Sequence, residues 1–169
     1  MTRNSIPTKY GEVTFKGMED LLNSFKNEIK KDAVFLDIGS GYGKIVTYMA
    51  EIGDMKSIGL ELLKERHDIA KKILWSSKRD KIKLVHGDIR DNIDLLKTAD
   101  VVFSNCILFD LPTVEFIMEN RKPESIFIQN KGRTFFGYWR DWETIEVHTS
   151  WKKKGGTSKF YKINTNTNR

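Results

Sequence analysis

Between Ala33 and Gly43 a short apolar run, Ala-Val-Phe-Leu, ends in Asp37 and passes without a polar spacer into Ile-Gly-Ser-Gly-Tyr-Gly. A run of that length suits a strand covered on both faces, as in the interior of a parallel sheet. Upstream, Phe15, Met18, Leu21, Leu22, Phe25 and Ile29 recur at spacings of three and four, which predicts a helix with one buried face, ended by Lys30-Lys31-Asp32. Downstream, Ile45, Val46, Met49 and Ile52 mark the buried face of a second helix, Ser57–Glu61 a second strand, Leu63–Trp75 a third helix and Ile82–His86 a third strand. Asp100–Ser104 and Ser125–Gln129 read as two more strands, separated by a helical stretch that begins near Pro112. Such alternation predicts parallel pairing, right-handed crossovers and helices on both faces of one sheet.

The last forty residues break the pattern. Thr144–Trp151 and Ser158–Ile163 are β-rich runs joined by Lys152-Lys-Lys-Gly-Gly156, a link too short for a parallel crossover, so the sheet ends in an antiparallel hairpin. A parallel open sheet finished in this way is, by analogy, the arrangement of class I methyltransferases. The predicted fold is therefore α/β and Rossmann-like, a mostly parallel twisted sheet with a C-terminal antiparallel hairpin. The 169 residues suit a single domain, 1–169.

The longest apolar stretch, Val101 to Phe109, contains Ser104 and Asn105 and falls far short of the ~20 residues of a spanning helix, so no membrane segment is expected. The N-terminus lacks an apolar signal-like region, Cys106 has no partner for an internal disulfide, and no Cys/His cluster has zinc spacing. An intracellular, metal-free chain is expected. The net charge of +6 is segregated: residues 1–120 carry 18 Lys+Arg against 19 Asp+Glu, whereas residues 121–169 carry 11 against 4. A basic third of this kind serves either as a solvated surface or as a face for a polyanion.

In open α/β sheets a ligand sits beyond the carboxyl ends of the strands, at the switch point, here the loop after the first strand. The glycines of Asp37-Ile-Gly-Ser-Gly-Tyr-Gly43 alternate, whereas the dinucleotide fingerprint is spaced G-x-G-x-x-G around a pyrophosphate, which disfavours a dehydrogenase. S-adenosylmethionine carries an ammonium, a sulfonium and a ribose diol and no phosphate. Asp37 is placed to hold the ammonium through the loop, Glu61 at the second strand end to accept the ribose hydroxyls, and Asp88 after the third to accept the adenine amine. Each acid alone also suits a helix cap, and the order of all three along the strand ends carries the ligand assignment.

Two flanking motifs narrow the reading: Tyr10-Gly-Glu-Val-Thr-Phe15 before the first helix, and Phe103-Ser-Asn-Cys-Ile-Leu-Phe109 after the fourth strand. With the glycine loop, Gly59-Leu-Glu61 and Gly87-Asp88, they resemble, in order, the histone lysine methyltransferases of the disruptor-of-telomeric-silencing type, which use the class I fold. The resemblance runs from about Tyr10 to Tyr161. It implies a segment with Tyr10, Glu12 and Thr14 lying over the cofactor, loop contacts from Asp37, Gly39, Gly41, Gly43 and Lys44, a ribose site at Glu61 and Leu62, and an adenine site at Asp88 and Ile89. It further implies a lysine pocket at Asn105, which also borders the cofactor, and at Phe109. Ser150-Trp151 and Ser158-Lys-Phe-Tyr161 look like the family's C-terminal elements, with Tyr161 taken as the channel aromatic and Phe160 as the competing choice. The family's second asparagine is Cys106 here, its preceding aromatic is Ile107, and little chain precedes Tyr10, so the chain reads as a minimal catalytic core.

The resemblance implies methyl transfer to a lysine of a histone in a nucleosome, with S-adenosylhomocysteine as product and a nuclear or chromatin location. Lys152, Lys153 and Lys154 would contact DNA. An RNA or translation-machinery methyltransferase, which would be cytoplasmic, and an inactive cofactor-binding adaptor are the competing readings. Phe135, Phe136, Tyr138 and Trp139 suit either a channel lining or packing on the sheet, and oligomeric state is not legible.

Overall fold

The computed structural model describes residues 11–105, 109–130, 142–152 and 155–164. Helix α1 (Phe15–Phe25) starts where Thr14, in extended backbone, accepts a hydrogen bond from the Gly17 N–H at 3.1 Å. Its apolar stripe buries Met18, Leu21, Leu22 and Phe25. The predicted helix continued to Ile29 and the actual one stops at Phe25, because Glu28 N–H turns back to the Phe25 carbonyl at 2.8 Å and its side chain swings to Lys162. Strand β1 (Val34–Ile38) then leads through the glycine loop to α2 (Lys44–Glu51), β2 (Lys56–Glu61), α3 (Lys64–Ile73) and β3 (Ile82–His86). A short α4 (Ile93–Thr98), under two turns long and absent from the periodicity reading, precedes β4 (Val101–Ser104), α5 (Leu111–Asn120) and β5 (Ile126–Gln129). Finally β6 (Glu143–His148) and β7 (Thr157–Asn164) form the hairpin.

Three apolar residues fall outside the elements predicted for them. Ile52 is the C-cap of α2 and 61% exposed, because Val46, Met49 and Ala50 face the sheet instead. Trp75 lies beyond the end of α3, whose C-cap Leu74 takes ψ of 110° and leaves the helix. Trp151 sits in the turn after β6.

The seven strands are ordered β3-β2-β1-β4-β5-β7-β6. β1 to β5 are parallel, and β7 runs antiparallel to both β5 and β6. It follows that β6 is parallel to the first five, so the turn leaving it emerges at their carboxyl ends. The strands alternate between two cores. Under α1 and α2, Phe25, Phe35, Phe103 and Phe160 form a stack with centroid separations of 6.3, 6.4 and 5.8 Å. On the other face, Leu36, Val102, Phe127, Trp142 and Ile163 meet α4 and α5. No helix among the described residues is long and apolar enough to cross a membrane.

Candidate active site

The chain reverses direction in strand order at β1, between β2 and β4, and the polar groups that end these strands converge there. Gly39 and Ser40 N–H groups bond the Leu60 carbonyl at 2.8 and 3.1 Å, which lays the loop across the end of β2. Gly39, Gly41 and Gly43 have φ of 83°, 54° and 80°, a left-handed run that side-chain-bearing residues adopt only with strain. Gly59, on β2 beneath the loop, has no room for a side chain: a Cβ there would stand 2.7 Å from the Ser40 hydroxyl.

Glu61 is buried, and its two oxygens accept from the Gly41 N–H at 2.7 Å and the Leu63 N–H at 2.9 Å. It ties the glycine loop to the start of α3 and keeps lone pairs for further donors, since a carboxylate offers about four. Asp37, also buried, ends β1 below the loop. Burial, and secondarily the Glu61 carboxylate, push its carboxyl up to about 8. Two buried acids beside a backbone cradle suit a ligand that brings hydroxyl donors and a cation, which would draw the proton off Asp37. The same set repels a phosphate.

The Asp37 value has a consequence for pH. The folded chain holds a proton here that the unfolded chain releases near the ordinary carboxylate pKa of about 4. Its stability is therefore expected to fall as pH rises from about 4 towards about 8. A thermal-melt series should show that slope for the wild type and lose it in Asp37→Asn; parallel curves for the two would remove Asp37 as its source.

The segment Gly11–Thr14 covers this crevice from the far edge of the sheet. Glu12 N–H donates to the Ser150 hydroxyl at 3.0 Å, Ser150 N–H to the Glu12 carbonyl at 2.9 Å, and Val13 bridges Thr149. Gly11 lies flat on the Trp151 ring, where a Cβ would come within 2.6 Å of Cε3. The Glu12 carboxylate pairs with Lys44, the first residue of α2 after the glycine loop. Thr14 donates to the His148 carbonyl at 3.1 Å and accepts from Gly17 N–H at 3.1 Å, capping α1.

Asn105, leaving β4, donates to the Gly11 carbonyl at 3.3 Å and accepts from Asn130 at the end of β5. Asn130 Oδ1 is buried with no hydrogen-bond partner among the described residues. Asn130 shares an open cavity of about 460 Å³ with Trp151, Lys152, Ser158 and Tyr161. Phe109 stands against the loop, its Cζ 3.7 Å from where a Gly39 Cβ would be.

These placements sort the candidates. Tyr161 lines the cavity, whereas Phe160 is fully buried against Phe103 and has no access to it. Leu62 is exposed beside Glu61. Asp88 accepts from Arg90 N–H at 2.8 Å, capping the turn Ile89–Asp91, and the Ile89 side chain packs inward with the second core. Tyr10, Ile107, Cys106, Lys153, Lys154 and the aromatics 135, 136, 138 and 139 lie outside the described residues. The sequence reading missed Asn130, although the rule that located Asp37, Glu61 and Asp88, a polar residue at a strand end, applies equally to Gln129-Asn130 after β5.

A family model for the histone methylation protein DOT1 matches residues 3–131. The H3 lysine-79-specific histone-lysine N-methyltransferase of Emericella nidulans is 33% identical over 115 residues, covering 60% of this chain and 22% of the relative. The Drosophila melanogaster enzyme of the same name is 29% identical over 127 residues, 68% of this chain and 7% of its own length. The chain thus spans about a fifth, or less, of the curated relatives it matches. Among solved structures, an RNA methyltransferase from Salinibacter ruber in complex with S-adenosyl-L-homocysteine superposes with a TM-score of 0.70 at 16% identity, covering 97% of this chain and 96% of that one. A spermidine synthase from Thermotoga maritima gives 0.66 at 13% identity, over 91% and 60%. At such identities these likenesses establish the methyltransferase-type Rossmann-like fold.

Proposed function

This chain belongs to the DOT1 histone methylation family, and from that premise we propose that it transfers a methyl group from S-adenosylmethionine to a lysine side-chain amine of a histone in a nucleosome. The observation that carries the reading is the convergence of two buried acids, Asp37 and Glu61, on a glycine cradle that opens beside Asn105 and Phe109. S-adenosylmethionine would supply an electrophilic methyl on a sulfonium. Asp37 would take its ammonium through the loop, Glu61 with Leu62 its ribose diol, and Asp88 with Ile89 its adenine. The Glu12–Lys44 pair joins the cover segment to the start of α2 beside the loop.

The chain's remaining task is to present a neutral amine in line. A free lysine has a pKa of about 10.4, so bringing it to neutrality is a shift of roughly 4 to 5 kcal/mol. Phe109 against the glycine loop, and Tyr161 and Trp151 in the cavity, would disfavour a second cation beside a sulfonium and supply part of that shift. The amide of Asn105, held between Gly11 and Asn130, would accept from the amine and has no basicity to keep its proton.

Lys152, exposed in the turn after β6, emerges at the catalytic edge and, with Lys153 and Lys154, would anchor DNA beside the target lysine. Part of the basic third serves the fold instead: Lys122 pairs with Asp100, Arg121 with the Ser125 carbonyl, and Lys162 is buried. A chromatin location follows from the histone reading.

The test is transfer of labelled methyl from S-adenosylmethionine to nucleosomes, free histones and RNA. Nucleosomes or histones are expected to be labelled on lysine. Asn105→Ala is expected to bind the cofactor nearly normally in calorimetry and to lose most of its turnover. Label on RNA alone would overturn the histone assignment, and unchanged turnover of Asn105→Ala at saturating substrate would remove it from the lysine pocket.

A further inference from the structure

Opposite the catalytic edge, the connection between α3 and β3 is held out from the body of the protein. The Glu51 carboxylate, at the end of α2, accepts from Ser77 N–H at 2.7 Å, Ser77 hydroxyl at 2.9 Å, Lys78 N–H at 3.3 Å and the Ser76 hydroxyl. Asp54 takes the ammonium groups of Lys78 and Lys81 at 2.7 and 2.8 Å. This pinned connection displays Trp75 at 85% exposure, with Ile73 beside it in sequence at 58%. An indole costs free energy in water, and a segment fixed by so many bonds cannot fold it away.

The surroundings of Trp75 are cationic. From Lys71 to Lys83 there are six Lys or Arg and one acid, Asp80. Two of the six, Lys78 and Lys81, share the single carboxylate of Asp54; Lys71, Lys72, Arg79 and Lys83 are exposed and have no ion pair among the described residues. Lys71 and Lys72 lie in the last turn of α3, before Trp75 in the chain, and Arg79 and Lys83, the latter on the edge strand β3, follow it.

We propose that this face binds single-stranded nucleic acid, its phosphates on Lys71, Lys72, Arg79 and Lys83 and an unpaired base stacked on Trp75. Charge decides between occupants. A second copy of the same chain would bring the same positive surface, and an apolar protein partner would leave four cations desolvated without counter-charges. A polyanion satisfies the cations, and an unpaired base offers the flat apolar face an exposed indole lacks, which a stacked duplex does not present. The face lies at the amino ends of β2 and β3, a strand length from the cofactor crevice. Binding here is therefore independent of the methyl-transfer reading and compatible with a substrate at the other end.

The experiment is fluorescence anisotropy with a labelled oligouridylate of about a dozen nucleotides and a DNA duplex of the same length, over a salt series. It is done in the Lys152→Ala/Lys153→Ala/Lys154→Ala background, so that the turn after β6 does not contribute. The single strand is expected to bind more tightly than the duplex. Trp75→Ala is expected to weaken it by about 5- to 150-fold, with circular dichroism and thermal melting unchanged. Changing Lys71, Lys72, Arg79 and Lys83 to Ala is expected to flatten the log-log salt slope by up to about 3. The proposal is overturned if the single strand does not bind, if the duplex binds as well and Trp75→Ala changes neither, or if sedimentation shows a dimer that Trp75→Ala dissolves.

Discussion

Removing both carboxylates that face Lys162, in a Glu28→Ala/Glu143→Ala variant, is expected to cost about 3 kcal/mol and to lower Tm on the order of 10 °C. Lys162 is 3% exposed, wedged between the end of α1 and the hairpin, with its ammonium bonded to Glu28 at 2.6 Å, Glu143 at 2.8 Å and the Ser24 carbonyl at 2.7 Å. Without the acids it must stay charged with a single neutral acceptor or give up its proton, and either is expensive in a desolvated site. Glu143 is 60% exposed and partly screened, which sets the estimate at the low end for a broken buried pair. Lys162→Met removes the charge and keeps the packing, so it should cost at most about 1 kcal/mol. Chemical denaturation of the three proteins checks the order. If Lys162→Met proved the more damaging, the ammonium would be a net source of stability and the desolvation argument would be wrong.

Lys162 also shows where reading the chain stops. In the sequence it is one of eleven basic residues of the last third, indistinguishable from Lys152. Only the antiparallel register, which sets it opposite Glu143, and the early end of α1, which frees Glu28, turn it inward. The parallel sheet was legible because each strand announces itself with an apolar run, and an acid follows each of the first three, so Asp37, Glu61 and Asp88 could be placed before any coordinate, whereas Asn105 came from the resemblance of its motif. Helix ends were less so. Ile52 and Trp75 continue the apolar spacing of α2 and α3 by chance, and the local events that stop those helices, the turn through Gly53 and the capture of Ser76 and Ser77 by Glu51, carry no periodic signal. The cover segment was suggested by a motif, yet its attachment was not: Gly11 and Glu12 meet Trp151 and Ser150 beside the edge strand β6, partners far apart in sequence and brought together by topology alone. Between Phe160 and Tyr161, period-two alternation assigns opposite faces, and what decides is which face α1 covers.

Glu61→Ala is expected to weaken S-adenosylmethionine binding by at least ~10-fold and up to ~100-fold. The lower figure follows from losing one charge-assisted bond to a ribose hydroxyl, worth about 1.5 to 3 kcal/mol. The higher figure adds a preorganisation cost. In the folded protein Glu61 fixes Gly41 N–H, in the middle of the glycine cradle, and Leu63 N–H before α3. Alanine leaves both donors without their acceptor, so the loop must be ordered at the moment of binding instead of beforehand. Two measurements separate the roles. Calorimetric titration reads the affinity of the folded fraction, while the melting temperature of the protein alone reads the strut, since each unsatisfied buried donor costs about 1 to 3 kcal/mol. Glu61→Gln sharpens the contrast, because its amide can still accept from one N–H through Oε1 but loses the charge that strengthens bonds to a diol. A lowered Tm with wild-type affinity in both variants would make Glu61 a loop strut and nothing more. A graded loss, glutamine less than alanine in both Tm and affinity, is what a carboxylate that builds the cradle and also holds the ligand must produce.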